Sequence, residues 1–65
     1  MPELIETAFD LRTQLRCVSR EIAMREKVYP KWVEQGRMKQ DKADQEIACM
    51  KAVQSTLIAL MEPNV

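Results

Sequence analysis

The chain has 65 residues with ten Lys plus Arg, ten Asp plus Glu, no histidine and a single glycine. This length predicts one domain at most and is too short for a nucleotide-binding βαβ pair or a barrel. The absence of histidine excludes His-based acid–base catalysis and most zinc sites. A single glycine excludes phosphate-cradling glycine loops and most architectures built on tight β-turns.

A chain of this size gains about as much from apolar burial as it loses in conformational entropy, so the monomer needs additional stabilisation. Cys17 and Cys49 form no C-x-x-C pair, and we expect both thiols to be reduced. Residues 1–11 do not have the composition of a secretory signal, and no apolar run approaches the length of a membrane span. We therefore expect a cytoplasmic protein that gains its additional stability by self-association.

The first half of the chain has the spacing of a helical heptad. Apolar residues recur at alternating intervals of three and four from Leu4 to Tyr29, and Arg25 alone interrupts them at a d position. Pro30 predicts either a kink or a break after Tyr29, and Gly36 is typical of the residue that follows a helix. We place helix 1 at 3–35, bent at 29–30.

The second half predicts a helix over 39–61, with Asp41 in its first turn and Pro63 beyond its end. Two long helices joined by a short segment pack as antiparallel neighbours. The predicted fold is thus an all-α antiparallel hairpin, in one domain over 1–65, that dimerises into a four-helix bundle. The predicted self-association seam comprises Leu4, Leu11, Leu15, Val18, Ile22, Ile47, Met50, Val53, Leu57 and Leu60.

Charge is unevenly distributed along the chain, with a net −3 over residues 1–11, +5 over 12–42 and −2 over 43–65. Because the middle of the chain forms the bend, we expect the bend end to be basic. This pattern indicates either a phosphate-binding surface or a solvated face, which a second subunit could pair with its acids. The candidate phosphate-contacting residues are Arg12, Arg16, Arg20, Lys27 and Lys39.

Arg25 has two interpretations. It fixes the register through an acidic partner on helix 2, with Glu46 and Asp44 as candidates, or it extends its charged end into water. Tyr29 and Trp32, which flank Pro30, likewise form either a binding anchor or a structural cap of the bend. The candidate partner-binding residues are Tyr29, Lys31, Trp32 and Arg37.

No constellation of residues indicates catalysis. Ser19, Ser55 and Thr56 have no histidine to activate them. Di-metal sites in helical bundles require an E-x-x-H pattern that this sequence cannot supply. We therefore expect no enzymatic activity, cofactor or metal.

The stretch from Arg20 to Val33, followed by Gly36-Arg37-Met38, Ala43 and Glu46 to Met50, resembles a family of short, uncharacterised proteins encoded by bacteriophages and prophages. These share the pattern R-E-x-x-M-R-x-x-V-Y-P-[KR]-W-V-x-x-G-[KR]-[ML], then A-x-x-E-[IL]-x-x-M. The resemblance covers about half of the chain and implies a phage or prophage origin in a bacterial host, with no known activity. Lys39 departs from the family's Ser or Thr, so the cap of helix 2 shifts to Asp41 or is absent.

These patterns together predict a small, non-enzymatic interaction protein of phage type that self-associates and binds a host or phage protein. The alternative is a nucleic-acid-binding accessory protein that uses the basic bend region. Neutral net charge weighs against this alternative.

Overall fold

The computed structural model describes residues 9–62, which form two α-helices: α1 (Leu11–Glu34) and α2 (Gln40–Met61). Ser19 on α1 contacts Gln54 on α2, and Arg25 contacts Glu46. Residue numbers rise from 19 to 25 on α1 while their partners fall from 54 to 46 on α2, so the two helices run antiparallel. The described residues contain no strand, and the predicted helical hairpin is confirmed.

Helix α1 begins later than the heptad pattern predicts. Phe9 and Asp10 are not helical. Asp10 is the N-cap, with Oδ1 accepting a hydrogen bond from the Thr13 backbone N–H at 2.8 Å. The prediction of one helix from residue 3 is therefore wrong at residues 9 and 10, because this cap satisfies the first-turn donors at Leu11 instead. Leu4 of the predicted seam lies outside the described residues.

The cap at Asp10 makes helix stability depend on pH. Its hydrogen bond from the Thr13 backbone lowers the pKa of the Asp10 carboxyl below its ordinary value, with smaller contributions from the Thr13 side chain, Arg16 and Arg12. The stabilisation is present in full above the unfolded-state pKa of about 3.9 and disappears as pH falls through the lowered folded-state pKa. We expect Asp10→Ala to lower the melting temperature at neutral pH and the difference from wild type to shrink in acid.

Thermal melts followed by circular dichroism at several pH values test this expectation. Asp10→Asn is the matched control, because its amide oxygen still accepts the Thr13 N–H but does not titrate in this range. A difference between wild type and Asp10→Ala that stays constant down to about pH 2 would argue against a charged cap.

A Schellman motif ends α1. The Gly36 N–H donates to the Val33 carbonyl at 3.0 Å and the Arg37 N–H donates to the Trp32 carbonyl at 2.8 Å. Gly36 has a φ of 75°, a left-handed conformation that glycine adopts without the steric cost of a Cβ. The prediction that Gly36 ends the first helix is confirmed.

Helix α1 continues through Pro30 to Glu34. A break at this position is therefore excluded, and the chain reverses only after Gln35. Proline removes one intrahelical donor, but the final turn is still anchored by the motif at Gly36.

Helix α2 begins without a side-chain cap. Lys39 occupies the N-cap position and makes no capping hydrogen bond, and Asp41 supplies the acidic side chain of the first turn. The helix ends at Met61, and the Glu62 N–H donates to the Ile58 carbonyl at 3.1 Å. The predicted bounds of 39–61 agree with this helix to within one residue.

The two helices bury few side chains between them. Within residues 9–62, Ile22 and Ala43 are the buried hydrophobic residues, at 6% and 2% exposure. The predicted seam residues Leu11, Leu15, Val18, Ile47, Met50 and Leu57 are half-buried, while Val53 and Leu60 are exposed. A single hairpin thus leaves most of its predicted seam in contact with water.

Neither helix in the described part of the chain combines the length and apolar character required for a membrane span.

Candidate interaction surfaces

A cluster of two aromatic rings and two guanidinium groups lies at the end of α1, and we call it the bend cluster (Arg25, Tyr29, Trp32 and Arg37). The Tyr29 and Trp32 rings stack with centroids 5.6 Å apart. The Arg25 guanidinium lies 5.8 Å from the Tyr29 centroid, and that of Arg37 lies 5.2 Å from the Trp32 centroid. Each ring therefore has a cation–π partner within the usual range.

Arg25 connects the bend cluster to α2. Its Nε donates to Glu21 Oε2 at 2.9 Å, and its Nη1 donates to the Glu46 carbonyl at 3.2 Å and approaches Glu46 Oε1 at 3.5 Å. The hydrogen bond to Glu21 is the main reason that the pKa of Arg25 is raised further above its ordinary value. With its side chain only 20% exposed, Arg25 makes an ionic contact between the helices.

Of the two predicted partners of Arg25, the structure selects Glu46. Asp44 instead accepts a hydrogen bond from Gln40 at 2.9 Å. Lys42 Nζ also lies 3.3 Å from Glu46 Oε2, so this carboxylate interacts with cations from both helices. The interpretation of Arg25 as a residue that pairs across the hairpin fits this geometry better than a side chain extended into water.

Polar contacts also join the helices outside the bend cluster. Lys51 Nζ lies 2.9 Å from Glu26 Oε2, and Gln54 Nε2 donates to the Ser19 hydroxyl at 3.0 Å. At about 100° per residue, these pairs lie on the opposite side of the interhelical contact from Arg25 and Glu46. This side of the hairpin therefore carries two polar pairs, together with Ile58, which lies seven residues after Lys51 and is 40% exposed.

The other side of the hairpin changes from polar to apolar away from the bend. Leu11, Val18 and Arg25 are seven residues apart on α1, and Glu46, Val53 and Leu60 are seven apart on α2. Because a heptad spacing keeps residues on one side of a helix, the side that contains the Arg25–Glu46 pair continues towards the termini as an apolar surface. We call its members, Leu11, Val18, Val53 and Leu60, the apolar patch.

The candidate partner-binding residues do not all lie together. Tyr29, Trp32 and Arg37 belong to the bend cluster, whereas Lys31 is exposed on the side of α1 turned away from α2. Tyr29 and Trp32 are half-buried. The rings therefore stabilise the bend and present only part of their surface to solvent.

The basic residues are not concentrated at the bend, contrary to the expectation from the sequence. Arg12, Arg16 and Arg20 lie in the part of α1 furthest from the bend. Residues 24–49, the half nearer the bend, carry six basic and five acidic side chains. Most of the positive block in the sequence follows α1 along its length, because residues 12–34 all belong to one continuous helix and the chain reverses only after it.

The remaining candidate groups are two thiols and one cleft. Cys17 and Cys49 are free and exposed. Within residues 9–62, no group of three His, Cys, Asp or Glu residues could hold a metal ion. A cleft of about 560 Å³ on the N-terminal part of α1 is lined by Phe9, Thr13, Gln14, Arg16, Cys17 and Arg20, a set that lacks an acid–base pair.

The fold and these surfaces define a class of protein: an all-α helical hairpin with an apolar patch and a bend cluster. Comparison of the chain with family models, with curated proteins and with solved structures finds no match.

Proposed function

We propose that this protein is a small, non-enzymatic interaction protein that self-associates into a homodimeric four-helix bundle and binds a host or phage protein. The observation that carries the proposal is the small core of the single hairpin, in which Ile22 and Ala43 are the buried hydrophobic residues of the described chain. Side chains that follow a heptad but remain half-exposed are typical of a surface that a further helix covers.

The apolar patch is the surface that a second copy would cover. Val53 is 40% and Leu60 is 63% exposed, and Leu11 and Val18 beside them are half-buried. The opposite side offers the polar pairs Glu26–Lys51 and Ser19–Gln54, which gain less from burial. Ile58 on that opposite side is as exposed as Val53, but the apolar patch contains Leu60, which is more exposed than either, and no polar pair among its own members, which favours pairing through the patch.

A bend at Pro30 belongs to this proposal. Proline provides no N–H for the Glu26 carbonyl, and its ring crowds that carbonyl, which tilts a helix away from its proline-bearing side. Pro30 is exposed. Such a bend would curve the last turn of α1, with Trp32, around the start of α2.

The bend cluster is the surface that we assign to the protein partner. Aromatic and arginine side chains contribute most of the binding energy in many interfaces, and Trp32 and Arg37 lie together at the outer end of the hairpin. A bacterial cytoplasm as the site of action, and a host or phage protein as the partner, follow from the resemblance of the Tyr29–Gly36 region to phage-encoded proteins.

Affinity capture from infected host cells tests the protein partner. Wild type should capture a partner protein. The captured amount should fall at least about tenfold for Trp32→Ala and for Arg37→Ala, as expected for removal of an interface anchor. Trp32→Ala could lose the partner because it misfolds. Arg37→Ala separates binding from folding, because the Arg37 side chain is exposed and its removal should leave the circular dichroism spectrum unchanged. Arg20→Ala, on the outer face of α1, is the matched control. Equal capture by wild type and both bend variants would contradict the proposal.

A further inference from the structure

Five basic side chains lie on the face of α1 that is turned away from α2. They occur at intervals of four, four, seven and four residues, which keeps them within about a third of the helix circumference. All five are exposed, and they span about 28 Å of helix at 1.5 Å per residue. We call this set, Arg12, Arg16, Arg20, Lys27 and Lys31, the basic strip.

The acidic side chains of α1 that fall between the ends of the basic strip lie elsewhere on the helix. Glu21 accepts a hydrogen bond from Arg25, and Glu26 pairs with Lys51 of α2. Both acids therefore lie towards α2, where a cation already neutralises each of them. Asp10 and Glu34 lie beyond the two ends of the strip. The charges segregate across α1 although the net charge of the chain is zero.

The basic strip fits a linear polyanion. Successive cations four residues apart advance about 6 Å along the helix, which is close to two base-pair steps along the axis of a duplex, where each strand places one phosphate about every 3.4 Å. Three of the five cations are arginines, whose planar guanidinium binds phosphate oxygens in pairs. Like charges at this spacing repel one another, and a bound polyanion would relieve that repulsion.

A nucleic acid fits this face better than an acidic protein does. Protein interfaces place apolar and aromatic side chains at the centre and charges at the rim. Phe9 lines a cleft with Arg16 and Arg20 near the N-terminal end of the basic strip, whereas the middle of the strip, around Arg20, Ala23 and Met24, has no aromatic residue. A row of cations that continues well beyond the apolar cleft fits contacts to a phosphate backbone, which carry no base specificity.

We propose that the basic strip of α1 binds the phosphate backbone of nucleic acid without sequence preference. This binding site is separate from the bend cluster and the apolar patch, so it can be tested independently of the function proposed above.

Fluorescence anisotropy with a labelled mixed-sequence DNA duplex of about two helical turns, and with an RNA of equal length, tests this proposal. Five phosphate contacts predict that affinity for DNA falls roughly 500-fold between about 50 and 200 mM salt. The triple variant Arg12→Gln/Arg16→Gln/Arg20→Gln retains two phosphate contacts, so its affinity for DNA should fall only roughly tenfold over the same salt range. Glutamine is a good helix former, and circular dichroism checks that the variant folds.

The matched control is Arg37→Gln/Lys42→Gln/Lys51→Gln, which removes the same charge from the bend and from α2. This control should keep the salt dependence of wild type. The proposal is overturned if neither nucleic acid binds at low salt, or if the control loses as much affinity as the strip variant. It is also overturned if poly-glutamate at equal charge concentration competes as well as unlabelled DNA, because the strip would then fit an acidic polypeptide.

Discussion

Replacing Ile22 by alanine is expected to unfold most of the protein at room temperature. Ile22 is one of two buried hydrophobic residues of the described chain, at 6% exposure. Truncation of a buried isoleucine to alanine costs about 2–5 kcal/mol. A core of this size seldom supplies more than about 3–5 kcal/mol of net stability, so the expected loss is comparable to the whole free energy of unfolding.

Far-ultraviolet circular dichroism and urea denaturation measure this effect. The matched control is Met24→Ala, which removes an apolar side chain that is 45% exposed on the outer face of the same helix. We expect the control to change the free energy of unfolding by less than about 0.5 kcal/mol. Similar midpoints for the two variants would show that Ile22 is not the centre of the core.

The position of Ile22 follows directly from the sequence. It occupies an a position of a heptad that runs from Leu11 to Tyr29, and such a seam faces the partner helix. The pairing of Arg25 with Glu46 was also predictable, because Gly36 marks the bend and position 25 then faces residues near 46. The hairpin and its register thus depend on signals that are local in sequence.

The heptad pattern predicts the wrong start for α1, although the sequence also contains the signal that determines it. Heptad spacing alone extends the helix back to Leu4, but Asp10 stands three residues before Thr13, an N-cap arrangement that satisfies the first-turn N–H groups locally. A capping signal competes with periodicity at a helix end, and here the cap determines the boundary.

Counting charged residues along the chain does not show which face of the hairpin carries the basic side chains. The block of nine bases in residues 12–42 was assigned to the bend, but most of it follows the outer face of α1. A helical projection of Arg12, Arg16, Arg20, Lys27 and Lys31 finds that face. The pairs Glu26–Lys51 and Arg37–Trp32 could not be predicted from spacing. They depend on how each helix is rotated about its axis and on the path of the loop.

Introducing glutamate at both Val53 and Leu60 is expected to abolish self-association. In a symmetric dimer the two substitutions affect four side chains, and each buried aliphatic side chain contributes about 1.5–3 kcal/mol. Even with a reduced contribution from these half-covered positions, the dissociation constant should rise by roughly three orders of magnitude. The two substitutions themselves should destabilise a single hairpin little, because Val53 and Leu60 are already exposed in it, so a loss of stability in the variant reflects the loss of the second copy.

Ala52→Glu/Ala59→Glu is the matched control for this pair. It adds the same charge at the same seven-residue spacing, on the side of α2 turned away from α1, where both alanines are exposed. The control should keep the dissociation constant of wild type within about threefold. Equal weakening by both double variants would point to a general effect of added negative charge and against pairing through the apolar patch.

Self-association explains why the seam of a single hairpin is largely exposed to water. Sedimentation equilibrium of the wild-type chain at micromolar concentration tests it most directly. We predict a species of twice the 7.6 kDa chain mass that Val53→Glu/Leu60→Glu converts to monomer. A wild-type chain that sediments as a folded 7.6 kDa monomer across the concentration range would rule out the proposed dimer.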